Sequence, residues 1–164
     1  MNIVEMPQIG TQTIQVPDTI VIHAMAEYID TEPFDMSAYD LLRGMGLSAH
    51  FLVTPSGLSL KCCGEQRMCY HAKGHNMNSI GIEILVPGLH TYATFAARIM
   101  DTKWCYHQAQ WDEAVALVRY LMDAWDISPG CVVRHSELSP GRKVEPGEGF
   151  EWQAFRKEIG PMGA

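Results

Sequence analysis

A chain of 164 residues, 47% hydrophobic and 19% charged, has the composition of one globular domain with a substantial core. Its formal net charge of −7 argues against a nucleic-acid partner, whose phosphates call for a basic footprint. No apolar run approaches the roughly 18 residues of a membrane span, so no membrane partner is expected.

Met1-Asn2-Ile3-Val4-Glu5-Met6-Pro7 lacks a basic n-region and an apolar h-region, so no secretory signal is read and a cytoplasmic location is expected. Residues 1–17 are read as an N-terminal extension of a single domain that runs over 1–164. After Pro17-Asp18, the β-branched run Thr19-Ile20-Val21-Ile22 predicts a short buried strand over 19–25. Ala38, Leu41, Leu42 and Met45 recur at helical spacing and predict a helix over 36–45, ended by Gly44 or Gly46. Ala49–Thr54 and Leu58–Cys62 alternate around Pro55-Ser56-Gly57, a hairpin pattern. Ile80–Val86 is an apolar strand carrying Gly81 and Glu83 at alternate positions, and Pro87-Gly88 stops it.

Residues 89–107 are apolar and aromatic without a clear period and are expected to form a loop near a cleft. Trp111, Ala114, Val115, Val118, Leu121, Met122 and Trp125 then mark a one-faced helix over 109–125. Met and Trp residues between 100 and 125 are assigned to the core. Val132-Val133 forms a short strand, and Phe150–Ile159 a closing helix with Phe150 and Phe155 facing inward. Strands interleaved with helices predict an α/β fold, a central mixed β-sheet flanked by helices. The five cysteines, Cys62, Cys63, Cys69, Cys105 and Cys131, are odd in number and lack CxxC spacing, so they are read as reduced, buried or half-buried thiols.

The chemistry concentrates in Arg134–Gly147, where His135, Lys143 and Glu145 lie at fixed offsets in a loop pinned by Pro140, Gly141, Pro146 and Gly147. His23 supplies a second imidazole from the end of the first apolar strand. Two histidines and a carboxylate are the ligand set of a catalytic zinc that keeps one position open. The chain is therefore read as a hydrolase. The ordinary alternatives are a hydrogen-bonded core histidine at 23 and a loop carboxylate paired with Arg142 or Lys143 at 145. Glu137 is a possible substitute ligand.

These residues resemble the amidase-2 family, the N-acetylmuramoyl-L-alanine amidases. That family includes the cytosolic muropeptide-recycling amidase, the T7-type phage lysozymes and the peptidoglycan-recognition proteins. Val21-Ile22-His23 resembles the strand of the first ligand and Ser48-Ala49-His50-Phe51-Leu52-Val53 the second core strand. His71–Glu83 resembles the central signature, and the resemblance runs from about Thr19 to Trp152. It implies Zn²⁺ as cofactor on His23, His135 and Glu145, Glu83 as catalytic base and Lys143 as oxyanion stabiliser. It also implies that His71, Asn76 and Asn78 line the substrate cleft, and that the substrate is peptidoglycan or a muropeptide.

Two departures stand out. The family motif has Asp where this chain has Glu145, and the extra methylene moves the carboxylate outward by ~1.5 Å, one carbon–carbon bond. The loop must retreat or the side chain must fold back. The T7-type branch has a cysteine as third ligand and a tyrosine at position 49; here no cysteine follows Cys131, and Ala49 with Glu83 resembles the recycling branch instead. His50 is expected to be buried and hydrogen-bonded. The implied role is a monomeric recycling enzyme or an endolysin that reaches the cell wall through a holin, and the alternative is a non-catalytic muropeptide-binding module of the same fold.

Overall fold

A computed structural model describes residues 1–26, 37–88, 90–103 and 106–160. Six strands form one mixed sheet in the order β1-β4-β3-β5-β2-β6. They are β1 (Ile3–Glu5), β2 (Thr19–Ala26), β3 (Phe51–Val53), β4 (Ser59–Lys61), β5 (Ser79–Val86) and β6 (Val132–Arg134). Among these strands the β3–β4 hairpin is antiparallel and the other pairings are parallel. β1 joins the edge parallel to β4, so part of the segment set apart as an extension belongs to the sheet. The helices are α1 (Ser37–Gly44), α2 (Tyr92–Met100), α3 (Gln108–Trp125), α4 (His135–Leu138) and α5 (Trp152–Ile159).

Alternation along the central strands sorts the side chains onto two faces. Ile20, Ile22 and Ala24 of β2, with Ile80, Ile82, Ile84 and Val86 of β5, pack against α2, α3 and α5. The opposite parity, including Met25 and Leu85, faces a second core that α1 covers with Ala38, Tyr39 and Leu42. Helices thus lie on both faces of the sheet. All eight residues of β5 are buried, as a strand covered on both sides requires. His23 and Glu83 share the parity of Met25 and Leu85, so both project from the face that α1 covers.

The loop expected over 89–107 is instead largely the helix α2, apart from residues 89, 104 and 105, which lie outside the described residues. Thr91 and Thr94 form a reciprocal capping box, and Phe95 and Ile99, four apart, bury one face. Burying two such side chains stabilises the helix by roughly 1.5–3 kcal/mol each. The signal was weak because the box lacks its usual Glu or Gln and the inward stripe is only two residues wide. Among the expected core residues of 100–125, Met100 is exposed; Trp111, Met122 and Trp125 are half-buried against the core. Met100 ends α2, beyond the last buried position of that stripe. Met36, the first residue of the predicted helix over 36–45, and Cys105 lie outside the described residues; Cys62, Cys63 and Cys69 are buried free thiols and Cys131 is half-buried.

Candidate active site

The register of two neighbouring strands builds the core of the site. β2 and β5 run parallel with His23 directly opposite Glu83, so the imidazole and the carboxylate emerge side by side on one face. Their closest approach is 3.9 Å, from His23 Nδ1 to Glu83 Oε1. On the other side of β2, β6 ends at Arg134 opposite Ile22, and the chain turns at once into α4 with His135 as its first residue. The His23 and His135 rings meet edge to face at 4.3 Å between centroids. Glu145 reaches back from the following loop, its Oε1 lying 3.0 Å from His135 Nδ1.

The longer Glu145 side chain folds back rather than projecting outward, with Oε2 accepting from the backbone N–H of Val144. Lys143 Nζ donates to Glu145 Oε1 at 3.1 Å. Tyr106 donates its hydroxyl proton to the carbonyl of Pro146, bracing the loop from beneath. Sequence reasoning missed Tyr106 because it lies in the stretch read as a loop. Glu137, the possible substitute ligand, is taken up by Arg134, whose backbone and guanidinium N–H groups it accepts.

His23, His135 and Glu145 place one donor atom each within 4.8 Å of one another, and all three are buried. The fit to a divalent cation rests on their chemistry. A metal needs neutral imidazole and ionised carboxylate. Burial, with the positive potential of His71 and His135 added, drives the His23 pKa well below its ordinary value, which keeps the ring neutral. Burial works against ionising Glu145, but hydrogen bonds from His135, the backbone and Lys143 outweigh it and hold the carboxyl down at about 2. His135 Nε2 is buried without a hydrogen-bond partner, so the trio's polar capacity is not used up internally. These residues fit a zinc ion.

Glu83 behaves in the opposite way. Burial, with the nearby Glu145 charge, pushes it up to about 8, and Lys143 offsets this only in part. Two carboxyls in one cleft are thus driven apart, one kept ionised and one kept ready to hold a proton. The cleft has a volume of about 370 Å³ and is lined by His23, Glu83, His135, Lys143, Glu145, His71 and Asn76. It continues into an apolar lobe of about 250 Å³ bounded by Leu41, Met45, Tyr92 and Phe95.

The three residues expected to line the substrate cleft part company. His71 lines the cleft and lies against His23, its Nδ1 3.0 Å from His23 Nε2. Asn76 lines the cleft, but its Oδ1 accepts from the N–H groups of His71 and Ala72, so its oxygen shapes the loop. Asn78 is absent from the lining; its amide donates to Asp18 Oδ1 at the start of β2. One turn of loop separates Asn76 from Asn78 and sends the two amides to different partners. His50 is buried, accepting from Gly81 N–H at Nδ1 and lying 2.8 Å from the Arg67 carbonyl at Nε2.

The family model of the N-acetylmuramoyl-L-alanine amidases matches residues 13–148. The chain belongs to that amidase family. Among its curated relatives, this amidase-family chain is similar to the 1,6-anhydro-N-acetylmuramyl-L-alanine amidase AmpD of Escherichia coli (strain K12), 29% identical over 118 residues. That alignment covers 67% of this chain and 57% of the relative. AmpD of Citrobacter freundii is 25% identical over 167 residues, covering 88% of this chain and 82% of the relative. The chain thus spans about three fifths of the length of the Escherichia coli relative. In fold it is similar to the N-acetylmuramoyl-L-alanine amidase LysC from Clostridium intestinale URNW, at a TM-score of 0.72 and 21% identity over 97% of both chains. It is also similar to the Escherichia coli amidase AmiD, solved with anhydro-N-acetylmuramic acid-L-Ala-D-gamma-Glu-L-Lys. That match has a TM-score of 0.70 and 26% identity, covering 92% of this chain and 61% of AmiD.

Proposed function

We propose that the chain is a zinc-dependent N-acetylmuramoyl-L-alanine amidase, hydrolysing the amide between the muramic acid lactyl group and L-alanine. The observation that carries this is the pairing of Glu83 with His23 across two strands, in one cleft with His135 and Glu145. His23, His135 and Glu145 would hold the zinc, which when bound would supply a Lewis acid to polarise the amide carbonyl and acidify water. Glu83 takes a proton from the attacking water and delivers it to the amine nitrogen as the carbon–nitrogen bond breaks. The water oxygen ends on the lactyl carbon, leaving a carboxylate and a free L-alanine amine. Lys143, hydrogen-bonded beside Glu145, faces the same cleft and stabilises the oxyanion of the tetrahedral intermediate.

Soluble anhydro-muropeptide is the preferred substrate in this reading. The curated relatives are named for the 1,6-anhydro sugar, and AmiD was solved with an anhydro-muropeptide. The acidic charge of −7 offers no long-range attraction toward an anionic wall polymer. The deciding experiment is mass spectrometry of a mixed anhydro and reduced muropeptide pool, incubated with zinc-loaded protein or with a chelated control. Stem peptide beginning at L-alanine, released without chelator and absent with it, is the expected result. Intact muropeptides, together with an uncut polymeric wall, would overturn the catalytic reading and leave a binding module.

A further inference from the structure

A metal-binding imidazole offers one nitrogen, and the hydrogen bond at its other nitrogen decides which one. At His23 a chain of three hydrogen bonds makes that decision. His23 Nε2 lies 3.0 Å from His71 Nδ1. His71 Nε2 lies 3.3 Å from Ser79 Oγ. Ser79 Oγ in turn lies 2.6 Å from the backbone carbonyl of His75.

A carbonyl oxygen can only accept, so the direction of the whole chain is set from its far end. Ser79 uses its one hydroxyl proton on the His75 carbonyl, and towards His71 its oxygen therefore accepts. His71 then carries its proton on Nε2 and its lone pair on Nδ1. That lone pair accepts from His23, which is accordingly protonated on Nε2 and bare on Nδ1. The bare Nδ1 is the atom that lies 3.9 Å from Glu83 Oε1.

Two further features hold His71 in this role. A side chain at Gly81 would collide with the His71 ring, since a Cβ there meets ring atoms at 2.5 Å. Asn76 Oδ1 clamps the backbone N–H groups of His71 and Ala72. The ring is thereby held in place at the cleft wall.

We propose that His71 is a positioning residue which, together with Ser79, sets the tautomer of His23 so that Nδ1 is the nitrogen offered to the metal. The inference rests on the reading of His23 as a zinc ligand, but its first test does not. In metal-free protein labelled with ¹⁵N-histidine, long-range ¹H–¹⁵N spectra separate the two tautomers directly, with His23 assigned through His23→Gln. His23 protonated on Nε2 is the expected result, and a predominantly Nδ1-protonated ring would overturn the proposal.

The variants carry the second test, read as zinc affinity by chelator competition. His71→Ala should weaken zinc binding by about 10- to 100-fold, as loss of a partner behind a metal ligand does. His71→Asn, whose Oδ1 stands close to the former Nδ1, should recover most of that loss. Ser79→Ala removes the hydroxyl but leaves the Ser79 backbone carbonyl, which also favours a proton on His71, and should give a smaller loss of zinc affinity. An unchanged His23 tautomer and zinc affinity in His71→Ala would overturn the proposal even if that variant is less stable. Wild-type protein that binds no zinc would instead overturn the metal reading, and the spectra would still decide the tautomer.

Discussion

Among the described residues lie two buried trios of ligand-type side chains, His23/His135/Glu145 and His50/Cys63/Cys69, each with its donor atoms within 4.8 Å of one another. By proximity alone they are equivalent. They differ in what those atoms already do. In the second trio His50 has spent both ring nitrogens, one on Gly81 N–H and one on the Arg67 carbonyl. Cys63 accepts from the Cys69 thiol and from Gly10 N–H, and a Cβ at Gly10 would overlap its sulfur. In the first trio His135 Nε2 is left over and Glu145 is kept ionised. Unspent donor capacity in the right protonation state, rather than closeness of ligand types, is what favours the first trio as the proposed zinc site.

The largest effect expected from this contrast is on metal itself. Metal analysis should find one zinc per chain, with hydrolysis falling to background on chelation or in His135→Ala. Cys63→Ser with Cys69→Ser should keep that one zinc, and a second equivalent lost in this double variant would break the comparison. Next in size, Glu83→Gln should lower kcat by about 10²–10⁴-fold, the range for removing a general acid–base group, while zinc content is unchanged. Glu145→Asp probes the folded-back side chain. Shortening it withdraws the carboxylate by ~1.5 Å and should weaken zinc by about tenfold or more in chelator competition.

Around His50 the predicted effects are on stability alone. His50→Ala strands the buried Gly81 N–H and should cost roughly 1–3 kcal/mol in denaturant unfolding without changing the zinc count. The smallest signal is a pH slope. Burial lowers His50 to about 4, the Arg67 carbonyl and Glu65 offsetting it in part, against an ordinary value of 6.5. The unfolded chain takes up this proton first as pH falls, so stability is lost between pH 6.5 and 4, by at most ~1.4 kcal/mol per pH unit. Glu83, raised to about 8, acts oppositely, adding stability as pH falls from 8 to 4.5. His23 and His71 are lowered too and add slope of the same sign. The measurement therefore compares chelated Glu83→Gln protein with and without His50→Ala, and equal slopes between pH 6.5 and 4 would sink the assignment.

Much of the architecture was legible in local pattern. β-branched runs announced β2 and β5, turn residues announced the β3–β4 hairpin, and a one-sided stripe announced α3. These signals are legible because neighbours in sequence are also neighbours on a strand or a helix face. Helix α2 was not, because its packing uses only Phe95 and Ile99 and its cap is built from two threonines. The candidate site divides in the same way. His23, Glu83, His135, Lys143 and Glu145 could be named from residue type, spacing and family resemblance, but Ser79 and Tyr106 could not, since neither carries ligand chemistry.

The amino-acid sequence by itself determined the fold class, the family resemblance and the candidate reactive groups. Tertiary structure decided which of those groups remain available. It set His23 opposite Glu83 by strand register, turned His71 toward His23 and sent Asn78 to Asp18. The physical reason is that a donor's chemistry is intrinsic to its residue, whereas its burial and its hydrogen-bond partners come from segments far away in the chain.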